Sequence, residues 1–120
     1  MDLCSAELIM SRLITLSTML ALFGAPAWSD EDLLKKGAST YKQFCSHCHG
    51  IGMVNPGTSS YDLRKWPTDQ KDAFYNSVKN GKGDMPAWGD VLFPEELDAI
   101  WVYVATRAGQ EPMPEQIGDD

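Results

Sequence analysis

Five consecutive residues, Cys45-Ser46-His47-Cys48-His49, place two thiols and two imidazoles within little more than one helical turn. Thiolates and imidazoles ligate soft and borderline metals, and two thiols three positions apart also interconvert between dithiol and disulfide. The pentad therefore admits three chemistries: a redox-active thiol pair, half of a zinc site, or covalent attachment of haem, whose motif is Cys-x-x-Cys followed directly by His. The rest of the chain separates them. Its only histidines are His47 and His49, and its remaining cysteine, Cys4, lies far upstream. A tetrahedral zinc site would have to draw four donors from five adjacent residues, where such sites usually draw on two separated segments. A thioredoxin-like pair opens a helix in a βαβ setting, whereas this one closes a helix in a chain without strand alternation. Covalent haem needs two thiols that reach vinyl groups from one turn and a neighbouring imidazole that can approach iron perpendicular to the ring. Cys45, Cys48 and His49 supply that order, with His49 as the ligand and His47 as a solvent-facing spacer.

A second axial ligand would come from a methionine, since no histidine is left. Met53 follows His49 too closely to cross the ring, and Met113 lies in an acidic tail. Met85 sits in the loop Gly81–Gly89, where Pro86 stiffens the backbone and Trp88 can shield the sulfur. Two readings of Met85 stand side by side: an iron ligand, or ordinary core filling of the kind methionine often provides.

The elements that must position these groups are helical. Leu33, Leu34, Gly37, Ala38, Tyr41 and Phe44 recur at three- and four-residue intervals, which predicts a helix closed by the pentad, with Asp30, Glu31 and Asp32 at its positive end. Gly50–Pro67 shows no period and reads as loop. Thr68 or Asp69 is placed to cap a second helix ending at Asn80-Gly81. Pro94, followed by Glu95 and Glu96, opens a last helix with the apolar stripe Leu97, Ile100, Trp101 and Val104. The fold class is all-α.

The 120-residue chain has a net charge of -7, with 43% hydrophobic and 22% charged residues, enough for one small domain. That charge argues against binding nucleic acid phosphates. No charge interrupts Leu13–Ser29, a run shorter than the ~20 residues a membrane span needs and broken by Pro26, so residues 1–29 read as a secretory signal peptide and 30–120 as the mature domain. Cleavage fits after Ala27 or after Ser29, the second being preferred because Pro26 then ends the apolar helix just upstream. The acidic Asp2 and Glu7 suit a leader poorly, and a start at Met10 suits it better. Export places the cysteine pair in the periplasm, where an unmodified pair would drift towards disulfide.

Taken together, these residues resemble class I c-type cytochromes over nearly all of the mature chain. The resemblance implies one covalent haem c wrapped by three or more helices, with the terminal helices crossing where Gly37 and Tyr41 meet Ile100 and Tyr103. It also implies that the Pro56 carbonyl receives the proximal imidazole N–H. SSYDLRKWPTD and NGKGDMPAWGDVL are further similar to small cytochromes that accept electrons from periplasmic quinoprotein alcohol dehydrogenases. That similarity implies a pyrroloquinoline quinone-containing donor, an oxidase or another cytochrome as acceptor, and no enzymatic activity of the chain's own. Arg64 and Trp66 would then donate to haem propionates, or else be a solvated cation and a core indole. The expected function is single-electron transfer by a monomer in transient complexes. The alternatives are a subunit of a larger dehydrogenase and a gas-binding or enzymatic haem module with an open sixth position.

Overall fold

The computed structural model describes residues 28–115. The expected leader up to Ala27, the start at Met10, Cys4 and the last five residues lie outside the described residues. Among those described, every regular element is helical, and strand-like pairing is confined to an isolated bridge between Lys82 and Met85.

Helix α1 spans Asp30–Phe44. Extended Ser29 starts it, its hydroxyl accepting the Asp32 N–H at 3.2 Å, while Asp30, Glu31 and Asp32 occupy the first turn. A cut after Ala27 would keep this cap, whereas a cut after Ser29 would remove it. The backbone widens at Cys45 and resumes as a single turn, α2, Ser46–His49, which Gly50 ends at φ +87°. The long connection that follows holds two short 3₁₀ turns, Ile51–Met53 and Leu63–Lys65.

Helix α3 spans Lys71–Asn80 and stops at Gly81, as its Asn-Gly ending predicts. Its start differs from expectation. The Gln70 N–H donates to the Pro67 carbonyl at 3.1 Å, so Thr68 and Asp69 are the inner residues of a turn and the helix begins only beyond Gln70, with no side-chain cap. Helix α4 spans Pro94–Ala105, with Pro94 at its first position and the Glu96 carboxylate accepting the Phe93 N–H at 2.9 Å. The predicted stripe is buried, and so are Ala99, Val102, Tyr103 and Ala105, which makes α4 the central element of the core.

The packing of α1 on α4 is set by one glycine. A Cβ on Gly37 would lie 2.0 Å from the Ala99 carbonyl oxygen and 3.0 Å from the Tyr103 Cβ, so the two backbones cross at a distance only glycine permits. One turn on, Tyr41 stacks obliquely on Tyr103 with ring centroids 5.0 Å apart, and its buried hydroxyl donates to the Gly50 carbonyl at 2.7 Å. Ile100 packs in the same cluster, as the resemblance implied. Phe74 of α3 completes the core, 5.2 Å from Trp101 and 5.7 Å from Trp66.

Gly37→Ala should cost about 2 kcal/mol or more through overpacking, measured as a lower urea midpoint with an unchanged denaturant slope. Burial holds the Tyr41 and Tyr103 hydroxyls above the ordinary tyrosine range. Unfolded tyrosine loses its proton near pH 10, so above that pH the native state binds more protons than the unfolded one and stability falls. The contribution is intact below about pH 10 and declines by up to about 1.4 kcal/mol per pH unit per tyrosine as the pH rises toward the folded-state values. Tyr41→Phe should flatten that alkaline decline in urea titrations.

Candidate functional site

The folding of α1 onto α4 aims the pentad into a cavity of about 890 Å³ between α2, the 58–70 segment, α3 and the Met85 loop. Cys45, Cys48, His49 and Met85 all line it, together with apolar side chains that include Phe44, Leu63, Phe74 and Val78. Its volume lies within the range of cofactor sites, roughly 300–1,000 Å³. Met53 is buried in the core instead, and neither it nor Met113 reaches the cavity wall.

His49 is oriented by its backbone surroundings. Its Nδ1 lies 2.9 Å from the Tyr61 carbonyl oxygen. A carbonyl can only accept, so Nδ1 carries the proton and Nε2 keeps a lone pair for a metal. This corrects the expectation for Pro56, which is exposed and lies off the cavity; the chain reaches the imidazole only five residues later, at Tyr61. Asn55 explains the detour. Its side chain accepts the Gly57 and Thr58 N–H groups at 2.9 and 3.2 Å and donates to the Ser60 carbonyl at 2.8 Å, folding residues 55–60 into a closed loop that delivers residue 61 to the histidine. Thr58 ties the same loop to the pentad by donating to the Cys48 carbonyl at 3.0 Å.

Met85 is held with comparable firmness. Lys82 and Met85 exchange backbone hydrogen bonds at 3.2 and 3.1 Å, and Trp88 and Gly89 donate to the carbonyls of Val78 and Lys79 at the end of α3. Gly81 is required there, because it has φ +77° and a Cβ would stand 2.6 Å from the Met85 carbonyl oxygen.

Arg64 is exposed and forks onto Asp62, with both contacts at 2.9 Å, and does not line the cavity. Asp62, two residues upstream, takes both guanidinium donors, and its carboxyl is held below the usual carboxylate range chiefly by the hydrogen bond from Arg64. Trp66 does line the cavity, but its indole N–H donates to the Gln70 carbonyl at 3.2 Å. A cation that the sequence reading passed over lies behind this wall: half-buried Arg107 donates to the carbonyls of Trp66, Val104 and Leu63 at 2.8, 3.0 and 3.4 Å. An arginine beyond the last helical stripe carries no sequence signal that separates it from a solvated one.

The Cys45 thiol is not tuned for thiolate chemistry. Burial, and then the neighbouring Cys48, push the Cys45 thiol up to about 11, far from the lowered values of reactive thiol pairs. Among the described residues no three His, Cys, Asp or Glu side chains converge on a point that could hold a metal ion. The site thus offers two thiols on one turn, a free imidazole nitrogen, a thioether on a fixed loop and apolar walls, a donor set that suits a haem.

Comparison with known proteins agrees. Residues 32–104 match the family model described as cytochrome C oxidase, cbb3-type, subunit III. The chain is 33% identical over 108 residues to cytochrome c6 of Rippkaea orientalis, covering 82% of this chain and 96% of the relative. It is 37% identical over 82 residues to cytochrome c6 of Euglena gracilis, covering 61% and 91%. It is also 35% identical over 86 residues to the quinohemoprotein alcohol dehydrogenase ADH-IIG of Pseudomonas putida, covering 69% of this chain but only 12% of that enzyme's length. No solved structure is a significant match. The chain belongs to the cytochrome c family, and its cofactor is covalently bound haem c. No helix among the described residues is long and apolar enough to cross a membrane.

Since Arg64 is spent on Asp62 at the surface, Arg64→Ala should leave the midpoint potential of the haem-loaded protein essentially unmoved and cost under about 1 kcal/mol, checked by redox titration and urea unfolding.

Proposed function

We propose that this protein is an exported carrier of single electrons, in which Cys45 and Cys48 would bind haem covalently and His49 Nε2 and Met85 Sδ would ligate its iron. One observation supports this most: His49 and Met85 line the same cavity, and the other imidazole nitrogen is already committed to the Tyr61 carbonyl. Haem bound there supplies a one-electron ferrous/ferric couple. The chain's part is to keep both donors in place in either state. Tyr61 fixes the imidazole plane, and the Lys82–Met85 turn, bonded to the end of α3, fixes the thioether. A Met/His pair raises the potential and leaves no vacant position for external ligands.

In this reading residues 1–29 are the leader, the mature chain works in the periplasm as a monomer, and it has no catalytic side chains. Its donor is a quinoprotein alcohol dehydrogenase and its acceptor a terminal oxidase or another cytochrome. The donor is supported by the 35% and 33% identity to segments of two quinohemoprotein alcohol dehydrogenases. Partners meet the chain transiently at the open side of the cavity, where His47 and Cys48 are exposed.

The purified protein should show a haem Soret band and, when ferric, a weak absorption toward the red end of the spectrum that vanishes in Met85→Ala. The reduced parent should not take up carbon monoxide at neutral pH, while Met85→Ala should. Carbon monoxide binding by the unsubstituted protein would overturn the methionine assignment in favour of the haem module with an open sixth position.

A further inference from the structure

Arg107 stands where the chain has left α4, and its own backbone is left-handed, at φ +51°, followed by Ala108 at +61° and Gly109 at +80°. L residues with side chains disfavour this region. The turn is nonetheless closed by hydrogen bonds from the Ala108 N–H to the Tyr103 carbonyl at 2.8 Å and from the Gly109 N–H to the Thr106 hydroxyl at 3.0 Å. The result is to aim the guanidinium inward. Its side chain is 18% exposed, and its donors grip the carbonyls of Leu63 and Trp66, two residues whose side chains form the cavity wall.

We infer that Arg107 is a positioning residue that raises the reduction potential of the site by holding a positive charge behind the Leu63–Trp66 wall. The inference rests on reading the cavity as the haem site and goes on to assign a buried charge that tunes it, in addition to Lys82 and Asp84, which line the cavity. A guanidinium is charged at every working pH, and its partners here are carbonyl dipoles, which orient it without cancelling its charge. Among the described residues its one carboxylate contact is a long, exposed ion pair with Glu111, whose oxygen lies 4.0 Å from Nε. Arg64, by contrast, is paired with Asp62 in a fork and exposed to screening solvent. Reduction adds one negative charge to the site, so a cation behind a poorly hydrated wall favours the ferrous form. The same grip holds the segment that begins at Tyr61, whose carbonyl orients His49.

The test is spectroelectrochemical titration of the haem-loaded protein at low ionic strength. Arg107→Gln should shift the reduction equilibrium about tenfold toward the ferric form, about 59 mV for one electron, while Arg107→Lys should stay close to the parent. Equal falls in both variants, or an unmoved potential in Arg107→Gln with its Soret band and thermal transition intact, would overturn the inference. Should Arg107→Gln fail to fold, Arg107→Lys carries the test: a loaded protein with the parent's potential supports the charge assignment, and a tenfold shift toward the ferric form overturns it. A protein that never shows a Soret band sinks the haem reading itself, an outcome distinct from a loaded protein whose potential ignores residue 107.

Discussion

The close crossing of α1 over α4 at Gly37 is the constraint from which the site follows. With the glycine against the Ala99 carbonyl, Tyr41 falls one turn later beside Tyr103 and its hydroxyl reaches the Gly50 carbonyl. That bond spans the break at Cys45, so the single turn bearing the pentad is anchored to the core from beyond its own C-terminus. A separation wider by one methyl group would tilt α1 and carry both thiols away from the wall that holds Phe74 and Ile100. The chemistry at one end of the helix thus depends on a backbone contact two turns earlier.

Around the cavity, the polar work is done almost entirely by main-chain carbonyls. Tyr61 orients the imidazole, Gln70 takes the Trp66 indole, Gly50 takes Tyr41, and Leu63 and Trp66 receive the guanidinium of Arg107. Two ion pairs, the Arg64–Asp62 fork and the Lys35–Glu31 pair, 2.7 Å apart one helical turn from each other, lie at the surface, while Asp84 lines the cavity beside Lys82. The imidazole, the Trp66 indole, the Tyr41 hydroxyl and the Arg107 guanidinium are met by neutral acceptors, whereas the indole N–H of buried Trp101 has no partner among the described residues.

What could be read from the sequence was what is local. Cys45, Cys48 and His49 lie on one turn, so their spacing is their geometry. The stripes of α1 and α4, the Asn80-Gly81 stop and the Pro94 start likewise express themselves within a few residues. The misses share a cause. Thr68 and Asp69 are good caps in isolation, but Pro67 and Gln70 close a turn around them. For Arg64 the two readings are not separable from sequence, because its partner Asp62, though near, presents no motif. The Pro56 expectation assumed a loop length, whereas the bonds of Asn55 take up the intervening residues. Arg107 is joined to residues more than forty positions away, and no period or spacing announces such a contact.

Tyr61 contributes to the site through its carbonyl oxygen, a group every amino acid possesses. The side chain at that position does not make the bond to His49; its phenol donates to the Lys65 carbonyl at 3.3 Å and meets Trp66 edge-on. Substitution scanning at residue 61 would report on the half-exposed phenol and be blind to the acceptor. An amide-to-ester replacement of the 61–62 linkage, which weakens the carbonyl as an acceptor without changing any side chain, addresses the atom itself. For this protein ring orientation depends on loop geometry, which does not require any particular residue type at position 61.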